Sequence, residues 1–392
     1  MNLVEKLGLT PIINGVGPVT RVGGLNLSEN ILQQVHEASV SSFRMEELHL
    51  AASEYISRTL GVPGALVTSG AASALTIATA VSLTGVDIKK IAALPHVNWS
   101  KKSVIIQKIH TDQYDHAVTA AGAMLRIVGD DLGCNENEIE AAIDPSVAAI
   151  LWRPKGLSDQ IDVSRIGALA AKHGLPFIID AAVTVPPIDR LVHYFACGAS
   201  FVAASGGKGF RGPHTGGLLF CSKQNVINAL LHHLDIDERD KTWVALREES
   251  QVALELPENG IARAMKVGRE QIFAMVAAID EYLLNPRYEI GDIELGFCEE
   301  TLKRRSKILV TRFRNDFLNV DTLKIFIGEP ALVDDFYLQL YRGTPRIILG
   351  QELSEEGWLT INPMALQSGE GIQIAARILE ITEILEIDKD KK

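Results

Sequence analysis

At 392 residues the chain exceeds what one simple core organises and calls for two packed domains. Its 47% hydrophobic and 22% charged residues match an ordinary globular protein and exclude a disordered one. A formal net charge of -11 argues against a broad nucleic-acid-binding face. The cysteines Cys134, Cys197, Cys221 and Cys298 form no CxxC pair. They read as reduced thiols of a cytoplasmic protein rather than zinc ligands or a disulfide framework. The opening MNLVEKLGLTPIING has no basic stretch followed by a long apolar run, so no secretory leader is expected.

No charged residue lies between Arg58 and Asp87, which is long enough to suggest a membrane span. Pro63, Gly64 and Gly70 interrupt it, and a strand, a turn and a buried helix fit better. No membrane partner is expected. In chain order, Gly64–Thr68 reads as a strand and Ala71–Leu83 as a helix. Ser103–Ile109 is a strand, followed by a helix from about His116 to Met124. Leu125–Val128 is a short strand and Glu136–Ala142 a helix with acidic first turns. Val147–Trp152 is a strand, and Val163–His173 a helix ending at Gly174. Phe177–Ile179 and Phe201–Ala204 are β runs that stop at Asp180 and before Ser205. Strands alternating with helices at this spacing predict a mostly parallel sheet covered on both faces. Ligands of such sheets collect at the carboxyl ends of the strands.

Beyond about Gly260 a long helix runs to Leu284, and Glu299–Leu318 reads as a second. Leu323–Ile327, Phe336–Leu340 and Arg346–Leu349 suggest a small antiparallel sheet, and Gly371–Leu385 closes the chain as a helix before a frayed DKDKK. The expected organisation is an N-terminal segment over 1–45, packing on the small domain or a partner subunit. A large domain over 46–285 and a small α+β domain over 286–392 follow.

Four features share the strand ends. TSGAAS, residues Thr68 to Ser73, is a tight turn into a helix, where successive N–H groups and a serine hydroxyl suit a phosphate. Small-residue turns before buried helices are common, so the turn is weak evidence alone. SVIIQKIH brings His110 to the same edge. In IIDAAVTVPP, Asp180 follows an apolar strand directly, either as a helix N-cap or as a charge aimed at a ligand. Last comes FVAASGGKGFRGPHTGG, with a lone Lys208 among glycines that let the backbone bend beside a bulky ligand. Desolvation there lowers the amine's proton affinity and favours a nucleophile. Alone, the segment would read as a surface loop with a solvated lysine. A phosphate turn, an aspartate and a lysine in this order suit pyridoxal phosphate: the turn for the phosphate, Asp180 for the ring nitrogen, Lys208 for an imine.

VTSGAASAL, IIQKIHTDQYDHAV, HGLPFIIDAAVTVPP, SGGKGFRGPHTGGLL and RAMKVGREQI together resemble one family, over roughly residues 10 to 285. It is the selenocysteine-synthase-like group of fold-type-I pyridoxal-phosphate enzymes, especially its D-glucosaminate-6-phosphate ammonia-lyase-like branch. The resemblance implies a fold-type-I, transferase-like α/β protein with pyridoxal phosphate as cofactor. It implies Lys208 as the Schiff-base lysine and Asp180 as the pyridinium partner. Ser69, Gly70, Ala71 and Ala72 would surround the phosphate, with Ser205 as a further contact. His110 is the candidate to lie over the cofactor face, with Tyr114 and His116 as alternatives. A homodimer or higher even assembly is implied by the fold type.

The implied reaction is α,β-elimination from an amino acid or amino sugar acid, with Lys208 taking the Cα proton and a 2-oxo acid and ammonia as products. Arg346, Arg44 and Arg21 are candidates to clamp a substrate carboxylate. Arg153 and Lys155, in WRPKG, could meet an acidic substrate or face solvent. Transamination, racemisation and cyclisation stay open as alternatives. A tRNA-dependent selenium transferase is disfavoured by the acidic chain and by Met1–Thr10 leading directly into IINGVG. GGKG lacks the Ser or Thr that follows a P-loop lysine, and the Gly15-Val16-Gly17 turn lacks the third glycine of a dinucleotide fingerprint. His96, His110 and His116 lack a compact ligand spacing, and no metal is expected.

Overall fold

The computed structural model describes residues 2–156, 161–235, 237–250, 252–256, 259–306, 308–385 and 387. The chain forms two compact units, one of residues Leu27–Glu281 and the other of Met1–Asn26 with Tyr282–Lys392. The expected N-terminal segment over 1–45 is therefore divided. Its helix Glu29–Ser39 belongs to the larger unit, where Ile31 packs against Ala274, Ala277 and Ala278.

The larger unit is built on a seven-stranded sheet. Its spatial order is Ala65–Thr68, Gly217–Cys221, Phe201–Ser205, Phe177–Asp180, Val147–Trp152, Ser103–Gln107 and Met124–Val128. From Phe201–Ser205 to Met124–Val128 every pairing is parallel. Gly217–Cys221 runs antiparallel to both neighbours and is the strand that sequence patterning did not yield. The central strands Val147–Trp152 and Phe177–Asp180 are buried along their length, as strands covered on both faces must be.

The uncharged stretch after Arg58 becomes the strand Ala65–Thr68 and the helix Ala71–Thr84. That helix is buried on nearly every side, with Leu75, Ile77 and Val81 in the same core as Val104, Leu151 and Phe201. Lack of charge marks a core helix here. Among the described residues no helix is long and apolar enough to cross a membrane. Ser103–Ile109 is shorter than expected: the strand stops at Gln107 and a 3-10 turn covers Lys108–His110. The helix after it spans only His116–Ala120, and Met124 already begins the next strand.

Differences are larger in the smaller unit. Strand Ile12–Gly15 pairs in parallel with Arg346–Leu349, and Val310–Asn315, Val320–Phe326 and Trp358–Ile361 form an antiparallel sheet. The second long helix is Glu289–Arg305, and Val310–Asn315, within the expected helix, is a strand. Phe336–Leu340 is not a strand but part of the helix Pro330–Arg342. Pro330 opens that helix, and Val333, Phe336 and Leu340 repeat at helical spacing on its buried side. The final helix is Glu370–Ile384, and DKDKK lies outside the described residues.

Helices Glu289–Arg305 and Glu370–Ile384 meet where a side chain on Gly371 would stand 2.0 Å from the Glu294 carbonyl oxygen. Glu294 is itself buried, and its carboxylate accepts from the N–H groups of Gly369 at 2.9 Å and Gly371 at 2.8 Å. It serves the donors that a helix N-terminus leaves without intrahelical partners. Removing it strands both donors in a closed contact. Glu294→Ala should destabilise the protein by about 2 kcal/mol, read as a lower denaturant midpoint at unchanged slope. An unchanged midpoint would contradict this account of the helix contact.

Candidate functional site

The carboxyl ends of the parallel strands lie along one edge of the sheet, and the sequence candidates gather there. Thr68 ends its strand opposite Gly217, and Ser205 ends its own opposite the other side of Gly217. The loop between Ser205 and Gly217 is thus the connection of an antiparallel pair, and it carries Lys208. Asp180 pairs with Ala203 on the next strand. With strands about 4.8 Å apart, the turn at Ser69 and the Lys208 loop are separated by roughly two strand spacings.

Glycines permit these close approaches. A side chain on Gly217 would stand 2.3 Å from the Gly70 carbonyl carbon, which is backbone and cannot swing aside. One on Gly207 would meet the backbone of Pro213 and His214 at 2.7 and 2.8 Å. The Lys208 loop also folds onto the end of IIDAAVTVPP, since a side chain on Gly209 would meet Pro186 at 2.4 Å. Gln271 braces the same corner, donating to the carbonyls of Thr68 and Thr215, both at 3.0 Å.

The turn at Ser69 opens into a cavity of about 370 Å³. Its lining includes Ser69, Ala72, Ser73, Tyr114, His116 and Met265. Gly70, with φ of 90°, caps the helix Ala71–Thr84, whose first turn contains no acidic residue. The first N–H groups of that helix have no intrahelical acceptors. Ser69 Oγ donates to the Met265 carbonyl at 3.0 Å. Ser73 Oγ, at the end of the TSGAAS segment, has no hydrogen-bond partner despite its burial. An anion at this turn would meet donors from the backbone and from Ser73.

Lys208 is half-buried. Desolvation pulls its amine below the usual lysine range, and the charge of Asp180 partly opposes the shift. Asp180 is buried, with Oδ1 accepting from the Ala182 N–H at 3.2 Å and Oδ2 from Arg153 Nε at 2.8 Å.

Arg153 is therefore not a solvent-facing or substrate-greeting residue. Its side chain is 5% exposed, and it also donates to the His110 carbonyl and to Asp115 Oδ1, lying 3.0 Å from Asp112 Oδ1 as well. Burial opposes its charge, but Asp180, Asp112 and Asp115 outweigh that and hold the guanidinium's pKa above its ordinary value. Lys155 bonds Asp112 Oδ2 at 3.1 Å. The one legible signal for this network was a charged pair directly after a fully apolar strand.

His110 has no accessible surface and stands edge-on to Trp152, with ring centroids 5.7 Å apart. Burial, then the charges of Arg153 and Lys155, push its pKa down to about 3. It sits in the 3-10 turn Lys108–His110 and is absent from the lining of the cavity at Ser69, as are Lys208 and Asp180. Its alternatives Tyr114 and His116 are exposed and do line it. Arg44 is paired with Glu46 and Glu238, so its charge is already engaged. In the smaller unit, Arg21 donates to Tyr337 Oη and the Leu349 carbonyl, and Arg346 lies over the Tyr341 ring at 5.5 Å.

A solved D-glucosaminate-6-phosphate ammonia-lyase superposes with a TM-score of 0.80, at 23% identity, covering 98% of this chain and 99% of that one. A SepCysS–SepCysE complex structure aligns with a TM-score of 0.56, at 16% identity and 98% coverage of this chain. The fold is that of the fold-type-I enzymes. Those enzymes normally use pyridoxal phosphate. The resemblance read in the sequence extends along the whole chain. A D-glucosaminate-6-phosphate ammonia lyase of Salmonella typhimurium (strain 14028s / SGSC 2262) is 25% identical over 97% of this chain and 98% of its own length. A 5'-C-glycyluridine monooxygenase-decarboxylase of Streptomyces sp is 24% identical over 96% of this chain and 90% of its own. No family model matches the chain.

Because burial disfavours the ammonium form of Lys208, its free amine is present at lower pH than for a solvated lysine. Trapping of an aldehyde on Lys208 by borohydride, followed against pH, should show a midpoint below the ordinary lysine value of 10.5. A midpoint at or above that value would contradict the desolvated setting.

Proposed function

We propose that this protein is a pyridoxal-phosphate-dependent lyase that releases ammonia from an amino acid or amino sugar acid by α,β-elimination. One arrangement supports the reading: a helix N-terminus with a partnerless buried serine, a desolvated lysine and a buried aspartate share one sheet edge. The chain that bears them aligns end to end with an ammonia lyase.

Ser69, Gly70, Ala71 and Ala72, joined by Ser73, would hold the cofactor's phosphate, with Ser205 as a further contact. Lys208 Nζ would hold its aldehyde carbon and Asp180 its ring nitrogen. His110, or one of its alternatives Tyr114 and His116 on the cavity wall, would cover the ring face. When bound, pyridoxal phosphate supplies an electron sink for the pair left at Cα when a bond there breaks.

Once the substrate's amine has displaced it from the cofactor, the freed Lys208 Nζ would take the Cα proton, a task its lowered proton affinity suits. For a β-hydroxy substrate, that proton and the hydroxyl leave as water, and one water returns as ammonia is released. The products are a 2-oxo acid and ammonia, and no oxidant is consumed. Arg346 and Arg21 are the proposed partners of the substrate carboxylate. The same reading carries a homodimer and a cytoplasmic location.

The second reading is oxidative decarboxylation, because one relative of comparable identity is a monooxygenase-decarboxylase. Amino acids and phosphorylated amino sugar acids should be screened for ammonia, 2-oxo acid, carbon dioxide and oxygen uptake. Ammonia with a 2-oxo acid, without oxygen uptake or an added oxo-acid acceptor, supports elimination. Oxygen uptake with carbon dioxide supports the second reading. A strict need for an acceptor would indicate transamination.

Two variants test the residue roles. Lys208→Ala should lower turnover by about 10²- to 10⁴-fold, as loss of a positioned base does. Unchanged turnover would remove Lys208 from the mechanism. Gly217→Ala, which presses on the Gly70 backbone, should weaken binding of pyridoxal phosphate more than of unphosphorylated pyridoxal. Equal weakening of both would argue against a phosphate site at this turn.

A further inference from the structure

We propose that Arg153 is a positioning residue that fixes Asp180 and the cavity wall in one register, so that the ring-nitrogen partner and the ring-face residues are set together. The inference rests on the pyridoxal-phosphate reading and adds to it a residue outside that site's assumed set.

The geometry carries it. Arg153 follows Val147–Trp152 directly, and its neighbour on one side is the strand that ends in Asp180. Nε bonds Asp180 Oδ2 at 2.8 Å while Nη1 bonds Asp115 Oδ1 at 3.0 Å and lies 3.0 Å from Asp112 Oδ1. Both aspartates belong to the segment that carries Tyr114 and His116 into the cavity. Asp112 also caps the short turn Gln113–Asp115 through the Tyr114 N–H at 2.8 Å. One guanidinium thus ties a strand end to the wall segment.

Only a planar, multi-donor cation can do this. Lysine offers one point charge and cannot reach carboxylates in two directions with fixed angles. An ionised carboxylate keeps acceptor sites beyond those used by Arg153 and the Ala182 N–H, so Asp180 can still accept from a ring nitrogen. With the guanidinium bond made, Asp180 cannot rotate away from the orientation its backbone bond defines. Breaking a buried pair by deleting one partner leaves an uncompensated charge, so the effect should be large.

The experiment uses the full-length protein, freed of cofactor and then titrated with pyridoxal phosphate. Three quantities are read: Kd, visible circular dichroism per bound cofactor, and the melting temperature of the cofactor-free form. Wild type must bind and be trapped on Lys208 by borohydride, and failure there would sink the pyridoxal-phosphate reading itself. Given that binding, Arg153→Met should raise Kd at least tenfold and remove more than half of the visible dichroism. Arg153→Lys should recover only part of each. In an Asp180→Asn background the Arg153→Met effect should largely vanish.

Wild-type Kd and dichroism in a folded Arg153→Met protein would overturn the proposal and leave the cofactor reading standing. Full additivity with Asp180→Asn would also overturn it, since Arg153 would then act by another route. If Arg153→Met does not fold, Asp115→Asn takes its place. A threefold or greater rise in Kd with altered dichroism supports the proposal, and wild-type values overturn it.

Discussion

Everything at the candidate site depends on one backbone approach, that of Gly217 to Gly70. The strand Gly217–Cys221 inserts antiparallel between Ala65–Thr68 and Phe201–Ser205. That insertion makes the Lys208 loop the connection of an antiparallel pair and sets it beside the turn at Ser69. With no side chain at 217, the turn and the strand start can touch. Any side chain there would push the two halves of the site apart. The glycines around Lys208 are therefore a packing requirement, met where two loops and a ligand must share little space.

Electrostatics add the second layer. Lys208 is desolvated, and the charge of Asp180 partly opposes the resulting fall in its proton affinity. Asp180 in turn is bonded to Arg153, so its carboxylate faces the site in a defined orientation. The buried charge of Arg153 is tolerated because carboxylates from two segments meet it. The arrangement separates a proton-accepting amine from a fixed anion along one edge. That separation suits a cofactor that needs opposite treatment at its two ends.

The large sheet was legible because its strands are short, apolar runs bounded by glycine, aspartate and serine, and because the helices between them are periodic. Ala71–Thr84 and Val163–Lys172 fall where periodicity puts them. The strand Gly217–Cys221 was hidden by its glycine-rich approach, which reads as loop. In the smaller unit the amphipathic helix Pro330–Arg342 and the charged strand Val310–Asn315 exchanged identities. Short segments with mixed polarity carry both periods, and tertiary pairing decides between them.

Lys208, Asp180 and the Ser69 turn could be read because chemistry-bearing residues stand directly at strand ends. The burial of His110 was not legible, because the strand stops at Gln107 and a 3-10 turn follows over Lys108–His110. Ser73 and Arg153 were visible only as a serine in the TSGAAS turn and a charge in WRPKG, and what each side chain meets was not legible. The roles proposed for them rest on what surrounds them in space. The central claim is that Lys208 carries the cofactor, and borohydride reduction of the pyridoxal-phosphate-loaded protein followed by peptide mass analysis tests it most directly. The account predicts a pyridoxyl adduct on Lys208. An adduct on other lysines alone, or no adduct at saturating cofactor, would contradict it.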